Sequence, residues 1–508
     1  MSEGVRVELS PLGVVLEAEK GSTLESMLAM HGVEFPCGGS GICGGCRVQV
    51  LVGAAEPVEA DNAVFSAAEL SAGYRLGCRI RAKQALTLKV DQWSMPVLSD
   101  ETGSGESARR GLAVAIDLGT TTVAAQLLDL ESGAVLRLRT GLNPQSAHGA
   151  DVMSRVRYAL QSGALTPLIR AFLGEMIAGL AAEREAEIVE VVLVGNTVMH
   201  HLFCGLDVEP LSHLPFRSPD LGEQRFSPQD VGWKLSGSAK IRFLPCLGGF
   251  VGSDIMAGIL ATDLNRGRAL RALIDLGTNG EIALGNCERI LCASTAAGAA
   301  FEAGAIRMGM RAAAGAISHV SRNGDELDCE VIGDVEPRGI CGSGLIDAVA
   351  AGLDMGLIQP NGRMAIAGTG FSLRPPVSIY QADIRELQLA KGAVAAGLRI
   401  LLDCWGATLD EIDCVYLAGA FGNYVRPQSA CRIGLMEVPA ERLKAAGNTA
   451  LRGAKLAIGT ENFPVTSIVE HISLAADPHF EDRFAECMRF PNGQEAVTEN
   501  RHIAALEK

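Results

Sequence analysis

Four cysteines constrain this chain more than any other feature. Cys37, Cys43 and Cys46 lie in Pro36-Cys37-Gly38-Gly39-Ser40-Gly41-Ile42-Cys43-Gly44-Gly45-Cys46-Arg47, and Cys78 follows in Leu76-Gly77-Cys78-Arg79. A 2Fe-2S cluster needs four thiolates, and the plant-type arrangement takes three from one loop and the fourth from a distant segment. The first gap here is one residue longer than the plant-type spacing. The glycines suit such a loop, because backbone N–H groups must turn toward the cluster with torsion angles that side chains obstruct. A four-cysteine zinc site normally shows two separated Cys-x-x-Cys knuckles, and only one such pair is present. Cys37, Cys43, Cys46 and Cys78 are therefore the expected iron ligands. The other ten of the fourteen cysteines are scattered singly among apolar neighbours and read as buried small hydrophobes.

The flanks of the cysteine loop have the order of a β-grasp ferredoxin, which they resemble. Val5–Leu9 and Gly13–Ala18 predict a hairpin, and Ser22-Thr23-Leu24-Glu25 predicts a capping box opening a short helix through Met30. Arg47–Val52 and Leu86–Val90 predict strands. The expected α+β ferredoxin domain covers residues 1–94. A polar, Gly- and Ser-rich stretch ends it, so residues 95–110 read as a flexible linker able to carry a cluster between donor and acceptor.

Beyond the linker, an apolar strand runs into Asp117-Leu118-Gly119-Thr120-Thr121-Thr122, and the pattern recurs at Asp275-Leu276-Gly277-Thr278-Asn279-Gly280-Glu281. A third strand, Val415–Ala418, enters the turn Gly419-Ala420-Phe421-Gly422. Three such turns in this order resemble the two phosphate loops and the adenosine motif of the actin-like, sugar-kinase and chaperone superfamily. Neither Asp turn opens a helix with the G-x-G-x-x-G of a Rossmann fold. The expectation is a two-lobed α/β actin-like ATPase over residues 111–474, with a C-terminal tail, 475–508, of no assigned role.

In that frame Gly119, Thr120, Thr121, Thr122, Gly277, Thr278, Asn279 and Gly280 would cradle phosphates through backbone N–H groups and hydroxyls, while Asp117 and Asp275 orient water on magnesium. Asp254 in Gly252-Ser253-Asp254 is a third candidate carboxylate, with a helix N-cap as its alternative. Glu281 is a fourth, with a solvated strand residue as its alternative. Gly342 and Ser343, in Ile340-Cys341-Gly342-Ser343-Gly344, are candidate nucleotide contacts or hinge residues, and Cys341 reads as packing. Gly419, Ala420, Phe421 and Gly422 would take the adenosine.

The formal charge of −15 disfavours a nucleic-acid partner, which requires clustered Lys and Arg. No apolar run reaches the roughly 18 residues of a membrane span, and the N-terminus carries no signal-peptide pattern. The expected location is cytoplasmic.

Taken together, the chain resembles the reductive activators of corrinoid proteins, which join a 2Fe-2S domain to an actin-like ATPase. The resemblance rests on the four cysteines, both Asp-Leu-Gly-Thr loops, Asn143-Pro144-Gln145 with Gly149-Ala150-Asp151, Gly195-Asn196-Thr197, Ile340–Gly344 and Ala418–Gly422. It implies ATP-dependent reduction of cob(II)amide to cob(I)amide in a corrinoid partner, with a reductase or ferredoxin as electron donor, 2Fe-2S, ATP and magnesium as cofactors, and self-association left open. Some members carry a further domain after the linker, whereas here Gly111 begins the first ATPase strand almost at once. Two other functions fit the motifs: an electron-transfer adaptor that senses ATP without obligatory hydrolysis, and a small-molecule kinase with an appended ferredoxin.

Overall fold

A computed structural model describes residues 4–10, 14–30, 33, 41, 46–90, 109–149, 151–277, 279–333, 335–365, 370–419, 422 and 424–492. They divide into two compact units, one of 1–96, 302–359 and 363–386, the other of 97–301, 360–362 and 387–508. Parts of the span expected to form the ATPase thus group with the N-terminal residues.

In the first unit, alternating apolar residues give a half-buried sheet. Strands β1 (Gly4–Ser10), β2 (Val14–Glu19), β3 (Arg47–Val52), β4 (Tyr74–Leu76) and β5 (Leu86–Lys89) lie in the order β2-β1-β5-β3-β4. β1 pairs with β2 as the expected hairpin and runs parallel to β5, with Leu9 opposite Leu88. Val7, Leu9, Leu28, Val48, Leu76 and Leu88 form its core together with Cys46 and Cys78. The helix Glu25–Met30 starts after the expected cap, because the Ser22 hydroxyl donates to Glu19 O at 2.6 Å instead.

The second unit contains two six-stranded sheets. Strands β6 (Leu112–Leu118), β7 (Thr122–Asp129), β8 (Val135–Leu142), β9 (Ile188–Val194), β10 (Gln224–Phe226) and β11 (Lys240–Phe243) form the first, in the order β10-β11-β9-β6-β7-β8. The second contains β12 (Leu270–Leu276), β13 (Gly280–Gly285) and β14 (Ile290–Thr295), later joined by β20 (Ile412–Ala418), β21 (Leu443–Gly447) and β22 (Val469–His471), in the order β21-β20-β12-β13-β14-β22. In both, an antiparallel meander (β6-β7-β8, β12-β13-β14) is extended from its first strand by two parallel strands (β9 and β11, β20 and β21). The fold is duplicated, and each Asp-Leu-Gly-Thr motif occupies the first hairpin of its copy.

Both faces of these sheets are covered, so the strands read as continuous apolar runs. Along β6, Val114 and Ile116 face one core while Ala115 faces another; Val191 and Val192 divide likewise on β9. The second core also contains residues of the helices Ser253–Ala261 and Thr449–Ala457. These helices pack at backbone distance: a Cβ on Gly453 would lie 2.0 Å from Ala257 O, and one on Gly258 3.0 Å from Thr449 Oγ1.

The segments 302–359 and 363–386 of the first unit add β15 (Ala316–Asn323), β16 (Glu326–Val331), β17 (Gly339–Ile340), β18 (Gly370–Ser372) and β19 (Ser378–Tyr380) in two small sheets, with a helix over Gly342–Asp354. Among the described residues, no helix is long and apolar enough to cross a membrane.

Candidate functional site

The turn between β6 and β7 is fixed from three sides. Gly119 has no room for a side chain, since a Cβ would sit 2.5 Å from Thr122 O. The buried Asn143 donates through Nδ2 to Gly119 O at 2.9 Å, and its backbone N–H donates to Thr121 O at 2.9 Å. Asn196 donates through Nδ2 to Thr120 Oγ1 at 2.8 Å, while its Oδ1 caps the helix Thr197–Cys204 by accepting from Met199 N. Gly195 and Gly252 complete the packing: a Cβ on the first would meet Leu118 O at 2.6 Å, and on the second Gly195 O at 2.1 Å. That approach brings the helix Ser253–Ala261, with Asp254 in its first turn, up to the first hairpin. Thr122 is the first residue of β7.

The second hairpin is assembled by register. Asp275 on β12 pairs with Glu281 on β13 and with Ala418 on β20, and Glu281 pairs with Ser294 on β14. Gly277 N donates to Asn279 O at 3.1 Å across the turn that Gly280 closes. The backbone at Gly419 is left-handed, with φ +92, and a Cβ there would fall 2.7 Å from Asp275 Oδ1. Only glycine suits that position. Gly422 N donates to Gly419 O at 3.1 Å, closing the turn beyond β20. Thr278, Ala420 and Phe421, expected to contact nucleotide, lie outside the described residues.

Four carboxylates share this site, and the charges of Asp117, Asp254 and Asp275 raise their neighbours. Burial pushes Asp254 up to about 8, helped by the charges of Asp275 and Asp117. Burial likewise raises Glu281 well above the usual range, reinforced by Asp254 and Asp275 and opposed by hydrogen bonds from Asn279 and Ser294. Asp117 is raised to about 6 by burial, offset in part by Asn448, whose Nδ2 donates to Asp117 Oδ2 at 2.9 Å. Mutual repulsion of buried carboxylates is relieved by a bound cation. Yet no group of three acidic, His or Cys side chains among the described residues converges in a direct metal cage. Such a donor set suits a hydrated hard cation better than a stripped one.

Two readings of these carboxylates are corrected. Asp254 is not the helix N-cap: Gly252 occupies that position, because the close approach of Gly195 admits no side chain there. Glu281 is not a solvated strand residue; it is buried between its neighbours on β12 and β14.

In the first unit, Cys46 and Cys78 are both buried, with sulfurs 3.4 Å apart. That separation is far longer than a disulfide bond, about 2.05 Å, and suits two thiolates directed at one metal. Gly77 makes it possible, since its N–H donates to Cys46 O at 2.7 Å and a Cβ there would lie 2.8 Å from the same oxygen. Two of the four expected ligands are thus brought together. Cys37 and Cys43 lie outside the described residues. Gly342 and Ser343 also belong to this unit, where they begin the helix Gly342–Asp354; the buried Ser343 hydroxyl donates to Ser318 O at 2.9 Å and so serves local packing.

Asn448 is the site residue that motif reading passed over. Gly447-Asn448-Thr449 after an apolar strand is a helix-start signal, and Asn448 does cap the next helix, its Oδ1 accepting from Leu451 N at 2.7 Å. Nothing in the sequence assigns its other amide group to Asp117.

Comparison with known proteins agrees with both parts. Residues 7–83 match the 2Fe-2S iron-sulfur cluster binding domain, residues 112–267 the RACo middle region, and residues 269–501 the C-terminal domain of RACo, the ASKHA domain. The middle region thus coincides with the first six-stranded sheet. The chain is 33% identical over 421 residues to the corrinoid activation enzyme RamQ of Eubacterium limosum, covering 75% of this chain and 70% of that protein. It is 28% identical over 385 residues to the Co(II) methylated amine-specific corrinoid protein reductase of Methanosarcina barkeri, covering 67% and 69%. A solved structure of a reductive activator for corrinoid, iron-sulfur protein superposes with a TM-score of 0.68 at 26% identity, over 96% of this chain and 98% of that one.

Proposed function

From the premise that this chain belongs to the RACo family of reductive activators of corrinoid proteins, we propose that it returns an inactive cob(II)amide in a partner protein to cob(I)amide by one-electron transfer driven by ATP. Cys37, Cys43, Cys46 and Cys78 would hold the 2Fe-2S cluster, which when bound would supply the one electron that takes the cobalt from the +2 to the +1 state. A plant-type cluster has a potential near about −400 mV, and a corrinoid couple that lies lower would make the transfer uphill. Each 59 mV of mismatch costs about 1.4 kcal/mol for one electron, a gap that nucleotide binding and hydrolysis can offset by favouring one conformation of the complex.

The acidic cleft carries the ATP part of this reading. Asp117, Asp254, Asp275 and Glu281 gather at the first hairpins of two duplicated sheets, where Asp117 and Asp275 raise the cost of ionising Asp254, and Asp254 and Asp275 that of ionising Glu281. Magnesium, when bound with ATP, would supply the charge that lets all four ionise, and the carboxylates would orient its water shell. The backbone of Gly119–Thr121 and Gly277–Gly280 would face the phosphates, and Gly419 would admit the adenosine against bare backbone. Asp254, raised to about 8 by burial, would be able to accept a proton from water once the cation had let it ionise.

An anaerobic visible-spectrum assay tests the reading. Cob(II)amide in a purified corrinoid protein should convert to the cob(I)amide form with this protein, a reductant, magnesium and ATP, with phosphate released. Equal conversion without ATP would remove the ATP-driven step.

A further inference from the structure

The helix Thr449–Ala457 connects the carboxylate site to the end of the tether. At its N-terminus Asn448 both caps the helix and donates to Asp117 Oδ2, so neither end of its amide is left to rotate. The helix is nine residues, about 13 Å long at 1.5 Å per residue, and most of it is buried. Gly453 rests against the Ala257 carbonyl, where a Cβ would come within 2.0 Å, so the two helices are in backbone contact. Just past its C-terminus, Gly459 N donates to Glu190, at 3.2 Å to Oε2 and 3.4 Å to Oε1. Glu190 is buried on β9, and it takes one further partner on each oxygen: Arg242 Nη1 at 2.9 Å on Oε1 and Arg109 Nη2 at 2.7 Å on Oε2. The Arg109 guanidinium lies against Gly459, where a Cβ would come within 2.3 Å of Nη1.

Arg109 stands at the end of the stretch whose sequence reads as the linker from the cluster domain. Its ion pair is not needed to neutralise Glu190. Arg242, almost fully buried, already does so: its other carboxylate partner, Glu223, which takes two hydrogen bonds from it, 2.9 Å from Nε and 3.0 Å from Nη2, is paired in turn with Arg225 at 2.7 Å. Removing Arg109 would leave no lone buried charge, the circumstance that makes loss of one partner from a buried pair so damaging. A long side chain, partly exposed, that reaches a charge already compensated is better explained by what it attaches.

We propose that Arg109 is a positioning residue that roots the tether on Glu190 and Gly459, and that the helix Thr449–Ala457 passes movement of the Asp117–Asn448 contact to that root. A change at the nucleotide site would displace the helix as one body, and Gly459 would carry Glu190 and Arg109 with it. The point at which the tether leaves this unit would then depend on the nucleotide. The inference rests on the ATP-driven reading given above, so the wild-type response is measured first.

The test uses the full chain with its cluster loaded. Arg109→Gln and Arg109→Lys are compared with wild type in the corrinoid reduction assay with and without ATP, alongside phosphate release and the thermal shift on adding magnesium and ATP. Arg109→Gln should keep its cluster absorption, its thermal shift and its phosphate release, yet lose at least about fivefold of the ATP stimulation of reduction, the lower range of ordinary coupling between sites; Arg109→Lys, which keeps the charge, should recover part of it. No ATP stimulation in wild type would overturn the functional reading itself. Stimulation of equal size in wild type and Arg109→Gln would overturn the role of Arg109 alone. Hydrogen exchange in wild type gives a second measurement that needs no variant to fold: the Gly459 amide should change its exchange rate when magnesium and ATP bind, and an unchanged rate would refute transmission along the helix.

Discussion

Asp254→Asn should stabilise the protein without nucleotide and weaken its response to nucleotide. The carboxyl of Asp254 titrates near about 8 in the folded chain, against an ordinary value of 3.8. At pH 7 it is therefore held protonated on folding, at a cost of up to about 4 kcal/mol relative to the ionised unfolded chain. The sign follows from the raised folded value. This contribution to stability is intact below the unfolded pKa, declines as pH rises from about 4 toward 8, and changes no further above that. The decline is about 1.4 kcal/mol per pH unit for one proton at most, and coupling among four carboxylates spreads it over several groups. Asparagine stays neutral, and its Oδ1 can still accept the hydrogen bond that Ile255 N gives to Asp254 Oδ1 at 2.8 Å. Urea unfolding without metal or nucleotide, at steps between pH 5 and 9, should show the variant more stable than wild type at pH 8 by about 1–3 kcal/mol and its pH slope flatter. With magnesium and ATP the variant's advantage should shrink by up to about 2.7 kcal/mol, because a ligand at a hundred times its Kd adds that much and the variant forfeits it. A variant less stable than wild type throughout, or equally sloped, would refute the electrostatic account of the cleft.

Three further substitutions test other parts. Cys46→Ser should abolish visible cluster absorption and reduce bound iron to near zero while the thermal shift with magnesium and ATP persists; retention of the absorption would remove Cys46 from the ligand set. Asn448→Ala should cost about 1 kcal/mol through the lost cap and weaken nucleotide binding by freeing Asp117, measured by urea midpoint and by titration with ATP; unchanged affinity would show that its contact with Asp117 has no bearing on the site. Gly453→Val places atoms where a Cβ alone is already 2.0 Å from Ala257 O, so the two helices must part, at about 1–3 kcal/mol; a urea midpoint equal to wild type would contradict that packing.

The parts of this fold that are legible in sequence are those whose chemistry is local. An Asp at a strand end followed by Gly and hydroxyl residues marks a hairpin whether or not its neighbours are known, which is why both first hairpins and the turn at Gly419 could be placed. The cysteine spacing works in the same way, since thiolates have few structural uses in such a pattern. What stayed illegible depends on contacts distant along the chain. The grouping of residues 302–359 and 363–386 with the N-terminal domain leaves no local mark, because each small sheet there is ordinary in composition. Asp254 shows the difficulty at a single residue. Gly252, Ser253 and Asp254 are all acceptable helix starts, and Ser and Asp are the better caps by propensity. The choice falls on Gly252 because Gly195, fifty-seven positions earlier in the chain, brings its carbonyl to where any side chain would stand. With the cap two residues earlier, Asp254 sits inside the first turn, where its Oδ1 accepts from Ile255 N at 2.8 Å while its carboxyl also feels the charges of Asp275 and Asp117. A backbone clash thus determines whether the same aspartate is a cap or a member of an acidic site, and the clash is invisible until the two strands it connects have found each other.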